Sequence, residues 1–301
     1  MTEKSEWAPS QIPSMAGRHA VVTGADHGLG LEIATQLVSH GCAVTMLGNQ
    51  PERARAARAS LATQHPHAWV DVEFVDLADL DSVGACGARL VAQGRPINLL
   101  VNNAGVMMLP YATTEQGFER HFGINHLGHF ALTGRLLPLL VETPHSRVVT
   151  MASNGHKMPG LSFDDVRSGV DYKAMRAYGR SKLANLLFSQ ELARRLAAHG
   201  HQTLSVAAHP GQSATNPGGK RGLRALVDRL VGQGVARGAE PALRAATDPT
   251  VQAGDYYGPD GPGELRGPAT KVKPSRVALD PELAAELWRR SEDWSGLSYL
   301  D

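Results

Sequence analysis

Short apolar runs alternate with helical periodicities along most of this chain. His19-Ala20-Val21-Val22-Thr23 is the first β-type run, and Leu29, Ile33, Ala34, Leu37 and Val38 then share one side of a helix closing near Gly41. Further strands are expected at 43–47, 70–75, 97–101, 147–151 and 203–208, with helices at 52–63, 82–92 and 114–140. The run Ile97-Asn98-Leu99-Leu100-Val101 reads as a strand covered on both faces, as in parallel sheets. Leu183, Ala184, Leu187 and Phe188 form the apolar stripe of another helix. This alternation predicts one doubly wound α/β domain over 16–301, preceded by an N-terminal extension at 1–15. Right-handed crossovers would bring Gly24, Asn102, Ser153 and Pro210 to one edge of its sheet. Residues 155–175 read as a loop over that edge. Residues 212–235 have the Gly, Pro and Ser content of a lid with a short amphipathic helix from Leu223, and 255–301 form a C-terminal extension. That extension is turn-rich to about residue 273, then Asp280-Pro281 opens a last helix through Trp294.

Composition narrows the function classes. The 301 residues carry 30 Lys+Arg against 29 Asp+Glu, and no basic stripe interleaved with aromatics suggests nucleic acid. The two cysteines, Cys42 and Cys86, make no disulfide framework and no metal spacing. The first residues lack the apolar core of a signal peptide, and the best membrane candidate, 130–141, is broken by Arg135 and Pro138. The expectation is a soluble, cytoplasmic protein with no membrane partner.

Four places carry candidate chemistry. Gly24-Ala25-Asp26-His27-Gly28-Leu29-Gly30 lies between a strand and a helix, where backbone N–H groups and a helix N-terminus suit a pyrophosphate. After the second strand, Gly48-Asn49-Gln50 holds no acid to bind a ribose 2′-hydroxyl, and Arg53, Arg55 or His27 could approach a 2′-phosphate. Arg53 and Arg55 read more readily as solvated helix-face charges than as ligands. The strand at 70–75 ends in Asp76-Leu77, where the acid could accept from an adenine amino group or serve as a turn residue. Asn102-Asn103-Ala104-Gly105 follows a central strand, the small residues allowing a cofactor near the backbone. Tyr178 and Lys182 are four apart, so they share a helix face, and the ammonium is expected to lower the phenol pKa. His126 and His129 have no third ligand at recognisable spacing, so no metal is expected.

As a set, these elements resemble the short-chain dehydrogenase/reductase family, nearest its retinol-dehydrogenase-like branch. The matching residues are Thr23-Gly24-x-x-x-Gly28-x-Gly30, Asn102-Asn103-Ala104-Gly105, Asn125, Ser153, Tyr178-x-x-x-Lys182 and Pro210-Gly211. Asn125-His126-Leu127-Gly128-His129-Phe130, Phe163-Asp164-Asp165, Ser181-Lys182-Leu183-Ala184-Asn185 and the Tyr257-Gly258-Pro259 region carry the branch likeness. The resemblance implies a Rossmann-like parallel sheet of about seven strands and a nicotinamide cofactor. It also implies a catalytic quartet: Ser153 bonding the substrate oxygen, Tyr178 exchanging its proton, Lys182 on the nicotinamide ribose, and Asn125 holding a relay water. Carried over likewise, Asp76 meets adenine, Asn102 the adjacent ribose and Thr215 the cofactor near its phosphates, with Pro210 and Gly211 beside it.

Three departures matter. Asn49 stands where NADP-using relatives have Arg, Gly48 where NAD-using relatives have Asp, and Ala152 replaces a frequent serine. The branch's anchored members have an N-terminal apolar segment that this sequence lacks, so retinoid specificity is not carried over. The leading expectation is an NADP(H)-preferring oxidoreductase, with NAD(H) possible, acting on the carbonyl or alcohol of an apolar small molecule. The alternative is a non-catalytic NAD(P)-binding sensor or scaffold. Relatives are often dimers or tetramers, so a homo-oligomer is compatible with the resemblance.

Overall fold

A computed structural model describes residues 6–158, 160, 162–212 and 233–301. Its strands are β1 (His19–Thr23), β2 (Ala43–Gly48), β3 (Val70–Phe74), β4 (Leu99–Asn102), β5 (Arg147–Met151), β6 (Leu204–Ala208), β7 (Tyr256–Pro259) and β8 (Ala269–Lys271). They form one eight-stranded sheet ordered β3-β2-β1-β4-β5-β6-β7-β8. Every pairing is parallel except β7 with β8. The main helices are α1 (Gly28–Ser39), α2 (Pro51–Gln64), α3 (Leu80–Ala92), α4 (Gly128–Val141), α5 (Ala174–Ala198), α6 (Val235–Thr247) and α7 (Pro281–Ser295).

Successive strand residues face opposite sides, so the apolar runs feed two cores. Val22, Val44, Val101 and Val206 pack with Ile33 and Leu37 of α1 and Leu243 of α6. Val21, Leu100 and Val148 pack on the other face with Val83 of α3, Leu132 of α4 and Leu192 of α5. Strand order reverses between β1 and β4, which places a crevice at their carboxyl ends, the usual ligand position of such sheets. None of the helices among the described residues is long and apolar enough to cross a membrane.

Several expectations change. The helix foreseen at 114–140 begins only at Arg120: Gly117 is left-handed (φ 79°), Thr114 N–H closes a turn onto the Phe118 carbonyl, and the Glu119 carboxylate caps the amides of His121 and Phe122. A π-helical turn, Gly123–Leu127, then precedes α4. The turn-rich start of the C-terminal extension holds β7 and β8, which complete the sheet, and α6 was not foreseen at all. Small residues (Ala239, Ala242, Ala246) bury α6 although Pro241 interrupts its pattern. The described part of the extension is partly core, with Trp7, Ile12 and Met15 buried in the cluster that holds residues of α1 and α6. Asp280 caps α7 as expected, accepting from the amides of Glu282 and Leu283. Trp288 then stacks on Phe188 of α5 at 5.9 Å. Most of the foreseen lid lies outside the described residues.

Candidate active site

The crevice at the switch point is a groove of about 590 Å³. Gly24 and Gly28 turn the chain there with φ of 63° and 55°, conformations that cost a residue with a Cβ. No side chain caps α1, so the amides of its first turn are free to meet an anion. Thr23 ties this loop to the next strand end. Its hydroxyl accepts from the amides of Asn103 (2.9 Å) and Ala104 (2.8 Å) and donates to His129 Nε2 (2.9 Å). Burial lowers the His129 pKa to about 4, so the ring is neutral, with Nδ1–H donating to the Asn125 carbonyl at 3.0 Å. Gly30 is held tightest: a Cβ there would lie 2.1 Å from the Gly24 carbonyl oxygen. Gly30→Ala is therefore expected to cost about 2 kcal/mol or more and to abolish dinucleotide binding. Urea unfolding with a fluorescence titration checks this; an equally stable, binding-competent variant would show that the turn yields.

At the far end of the groove, Asp26 is buried (7 % exposed) and bridged by Arg53 Nε at 2.6 Å, with His27 Nδ1 at 3.1 Å. Burial raises the Asp26 pKa, but the bonds from Arg53 and His27 outweigh it and hold the carboxyl below its ordinary range. A Cβ on Gly48 would sit 3.6 Å from Asp26 Oδ1, so this carboxylate stands beside the end of β2. Arg53 is thus part of the groove wall with Gly48, Asn49 and Gln50, whereas Arg55 pairs outward with Glu52. Asp76 and Leu77 also line the groove, and Asp76 has a turn role as well, its Oδ1 accepting from Ala78 N–H at 2.9 Å. Leu29, Ala104 and Gly105 line it too.

Asn102 requires a correction. Its side chain is buried (1 % exposed) and donates to Thr133 Oγ1 at 3.0 Å, behind the strand. Asn103, one position on and turned to the other side, lines the groove and donates to the Thr23 carbonyl at 2.8 Å. The Asn102 side chain therefore does not face the groove, and Asn103 does.

The residues expected to react gather between β5 and α5. Tyr178 is half-buried with its hydroxyl beside the Ser153 side chain, whose Oγ accepts from Gly155 N–H at 3.2 Å. His156 Nδ1–H donates to the Ser153 carbonyl at 2.7 Å. Lys182 is buried, donates to the Met151 carbonyl at 2.9 Å and has Nζ 5.8 Å from the Tyr178 ring centre. Asn125 Oδ1 accepts from Val106 N–H at 2.8 Å, and its Nδ2 donates to the Val106 carbonyl (3.0 Å) and Ser181 (2.9 Å). A Cβ on Gly105 would come 3.1 Å from Asn125 Oδ1 and 3.6 Å from Lys182 Nζ, so this glycine leaves open a cradle between groove and quartet. The glycines, the free amides and the space left at Gly105 together fit a dinucleotide.

The expected depression of the Tyr178 pKa is overturned. Burial raises it and the neighbouring Ser153 side chain offsets only part. Burial likewise lowers the Lys182 pKa to about 8. Both groups are desolvated and the ammonium is turned to Met151, so burial outweighs the help that the ammonium gives a phenolate.

Other polar groups of the site had no local signature. Glu119 and His121 are fully buried behind the Tyr178 ring, with Glu119 Oε1 accepting from His121 Nδ1 at 2.6 Å. The Tyr172 hydroxyl lies 3.0 Å from the Leu109 carbonyl, which ties the loop after β4 to the same cluster. His126 points away to Ser291 at 2.9 Å, so it and His129 do not converge. Pro210 and Gly211 follow β6 at the same sheet edge, and Thr215 lies outside the described residues.

Comparison with known proteins adds family to geometry. The family model for short chain dehydrogenase matches residues 18–222. Retinol dehydrogenase 12 of Mus musculus is 34% identical over 294 residues, spanning 96% of this chain and 89% of its own. Polyprenol dehydrogenase of Danio rerio is 36% identical over 299 residues, spanning 93% and 87%. Among solved structures, an uncharacterized protein from Mycobacterium paratuberculosis has a TM-score of 0.83 at 37% identity, covering 98% of this chain and 99% of that one. A short chain dehydrogenase from Burkholderia cenocepacia, solved in complex with NADP, has a TM-score of 0.65 at 21% identity, covering 79% and 95%; that likeness concerns the fold alone.

Proposed function

The chain belongs to the short-chain dehydrogenase family and is an NAD(P)-dependent oxidoreductase, and from that premise we propose that it prefers NADP(H) and interconverts a carbonyl and an alcohol on an apolar small molecule. The observation that carries this reading is the Tyr178 hydroxyl beside the Ser153 side chain, with Lys182 one helical turn away beside the cofactor groove. When bound, the nicotinamide supplies or accepts the hydride. Tyr178, neutral at physiological pH because burial holds its proton, is the acid for a developing alkoxide. A positioned acid–base group of this kind contributes about 10²–10⁴-fold. Ser153 offers the substrate oxygen a second hydrogen bond, and the Lys182 ammonium is placed to balance a phenolate once one forms. Asn125 fixes the loop after β4 through Val106. Nothing favours the sensor or scaffold alternative, which has no use for a proton donor held against Ser153.

The apolar substrate class rests on the exposed Met107, Met108 and Tyr111 of the loop after β4 and Met175 in the first turn of α5, and on relatives named for retinol and polyprenol. The NADP(H) preference rests on Arg53 and on the lack of an acid at Asn49 or Gln50. Asp26 sets a limit on it, since its carboxylate could accept from a ribose 2′-hydroxyl. Arg53→Ala is expected to weaken NADPH binding about tenfold, the worth of one charge-assisted bond, while NADH binding changes little; equal losses for both would remove Arg53 from this role. A panel of ketones, aldehydes and alcohols with NADPH or NADP⁺ tests the function itself, and turnover of none of them would refute it. A cytoplasmic location fits Cys42 and Cys86, both free and buried.

A further inference from the structure

Two loops flank the proposed reacting centre, one after β5 and one after β6. A segment far away in sequence binds both. Asn154, next to Ser153, donates through Nδ2 to the carbonyls of Gly263 (2.9 Å) and Glu264 (3.3 Å). Lys157, on the same turn, places Nζ 2.9 Å from Glu264 Oε2. From the other loop, His209 Nε2 stands 3.0 Å from that same oxygen. Gln212 N–H donates to the Leu265 carbonyl at 2.8 Å. Gly211 passes so close that a Cβ would lie 2.4 Å from the Leu265 oxygen.

The chemistry of these contacts is consistent. His209 is fully buried and its Nδ1 accepts from Gly211 N–H at 3.2 Å, so Nε2 bears the proton and points it at Glu264. Burial, partly opposed by Glu264, lowers the His209 pKa to about 4, so the ring is neutral and the carboxylate's formal ion partner is Lys157. Glu264 itself sits at φ 56° after Gly263 at 63°. A non-glycine residue in that region costs about 1–3 kcal/mol and persists where its surroundings over-determine it. One carboxylate oxygen holding two loops is such a constraint.

We propose that Glu264 is a positioning residue whose carboxylate, by holding Lys157 and His209 at once, sets the Ser153 loop against the Pro210–Gly211 shelf. This rests on the reading that those two loops bracket the substrate oxygen and the nicotinamide. Hydride transfer is sensitive to such spacing, with a misplacement near 1 Å costing about 100-fold.

The test uses the full chain as wild type, Glu264→Ala, Glu264→Gln and Lys157→Gln. Hydrogen exchange needs no substrate, so it judges the coupling even if the oxidoreductase reading fails. Glu264→Ala is expected to speed exchange in both 154–158 and 209–212 by about tenfold or more. Lys157→Gln, at a more exposed position, should loosen 154–158 alone, and it decides the matter if the alanine variant does not fold. Exchange rising in neither loop with Glu264→Ala, or in both with Lys157→Gln, overturns the proposal. With a substrate from the panel, Glu264→Ala should lower kcat about tenfold, enlarge the isotope effect from 4-deuterated NADPH, and leave the KM for NADPH within about threefold. Glu264→Gln, which keeps an oxygen for both donors, should recover most of that kcat. A loss of activity that follows only the folded fraction, with an unchanged isotope effect, also overturns it.

Discussion

Tyr178→Phe is expected to lower kcat/KM by about 10³-fold or more while NADPH binds with nearly its wild-type affinity. The phenyl ring keeps its place, because the packing that holds it involves ring carbons: Gly155 lies against one edge and His121 meets it edge-on at 6.3 Å. Only the hydroxyl and its interaction with Ser153 are lost. The groove for the dinucleotide is built by Thr23, the glycine loop and Asn103, none of which contacts that hydroxyl. Single-turnover kinetics with a fluorescence titration of NADPH separate the two quantities. Retained turnover would mean that another group, or water, supplies the proton. A parallel collapse of NADPH binding would mean that the ring position had changed.

Lys182→Met should remove activity and, at neutral pH, make the cofactor-free protein more stable. The ammonium is buried, and burial moves its pKa from 10.5 to about 8. Between those two values the unfolded chain binds a proton that the folded chain has lost, so wild-type stability rises with pH across that window. Below about 8 both states carry the proton and the penalty is present in full, of the order of 3 kcal/mol. Methionine has similar length and no charge, and the Met151 carbonyl keeps the Asn185 amide at 2.9 Å. The variant is therefore expected to gain about 2–3 kcal/mol at pH 7, with the gap to wild type closing by pH 10.5. Urea unfolding of both proteins at several pH values measures this. A variant less stable at pH 7, or a gap that does not change with pH, would show that the lysine is held more favourably than its burial implies. Its kcat should fall by about 100-fold or more, because a phenolate forming on Tyr178 would lack its counter-charge. Stability given up for a functional charge is a common trade at such sites.

Much of the molecule was legible from short-range pattern. β1 and β5 fall where the apolar runs place them, α7 starts at the Asp280-Pro281 cap, and the glycine loop joins strand to helix as its spacing requires. Tyr178 and Lys182 share a face of α5 because any helix puts residues four apart on one side. These features depend on local periodicity and on backbone geometry, both of which are written into neighbouring residues.

What one residue finds across the sheet is another matter. Asn102 and Asn103 are equivalent as letters, yet one is buried against Thr133 and the other faces the groove, since adjacent residues leave an extended chain on opposite sides. Arg53 reads as a surface charge until Asp26, 27 positions earlier, draws it into the groove wall. The Tyr178 pKa moved against expectation because burial, which no spacing reveals, outweighs the neighbouring amine. Glu264 lies in a stretch that looks like plain turn, and only the packing of three chain segments gives it two partners. The sequence alone therefore determined the α/β alternation, the glycine turn and the Tyr–Lys pairing, which need only contacts within a turn or two. The tertiary structure decided which side chains are desolvated and what they face, because burial and long-range register arise only when distant segments close on one another.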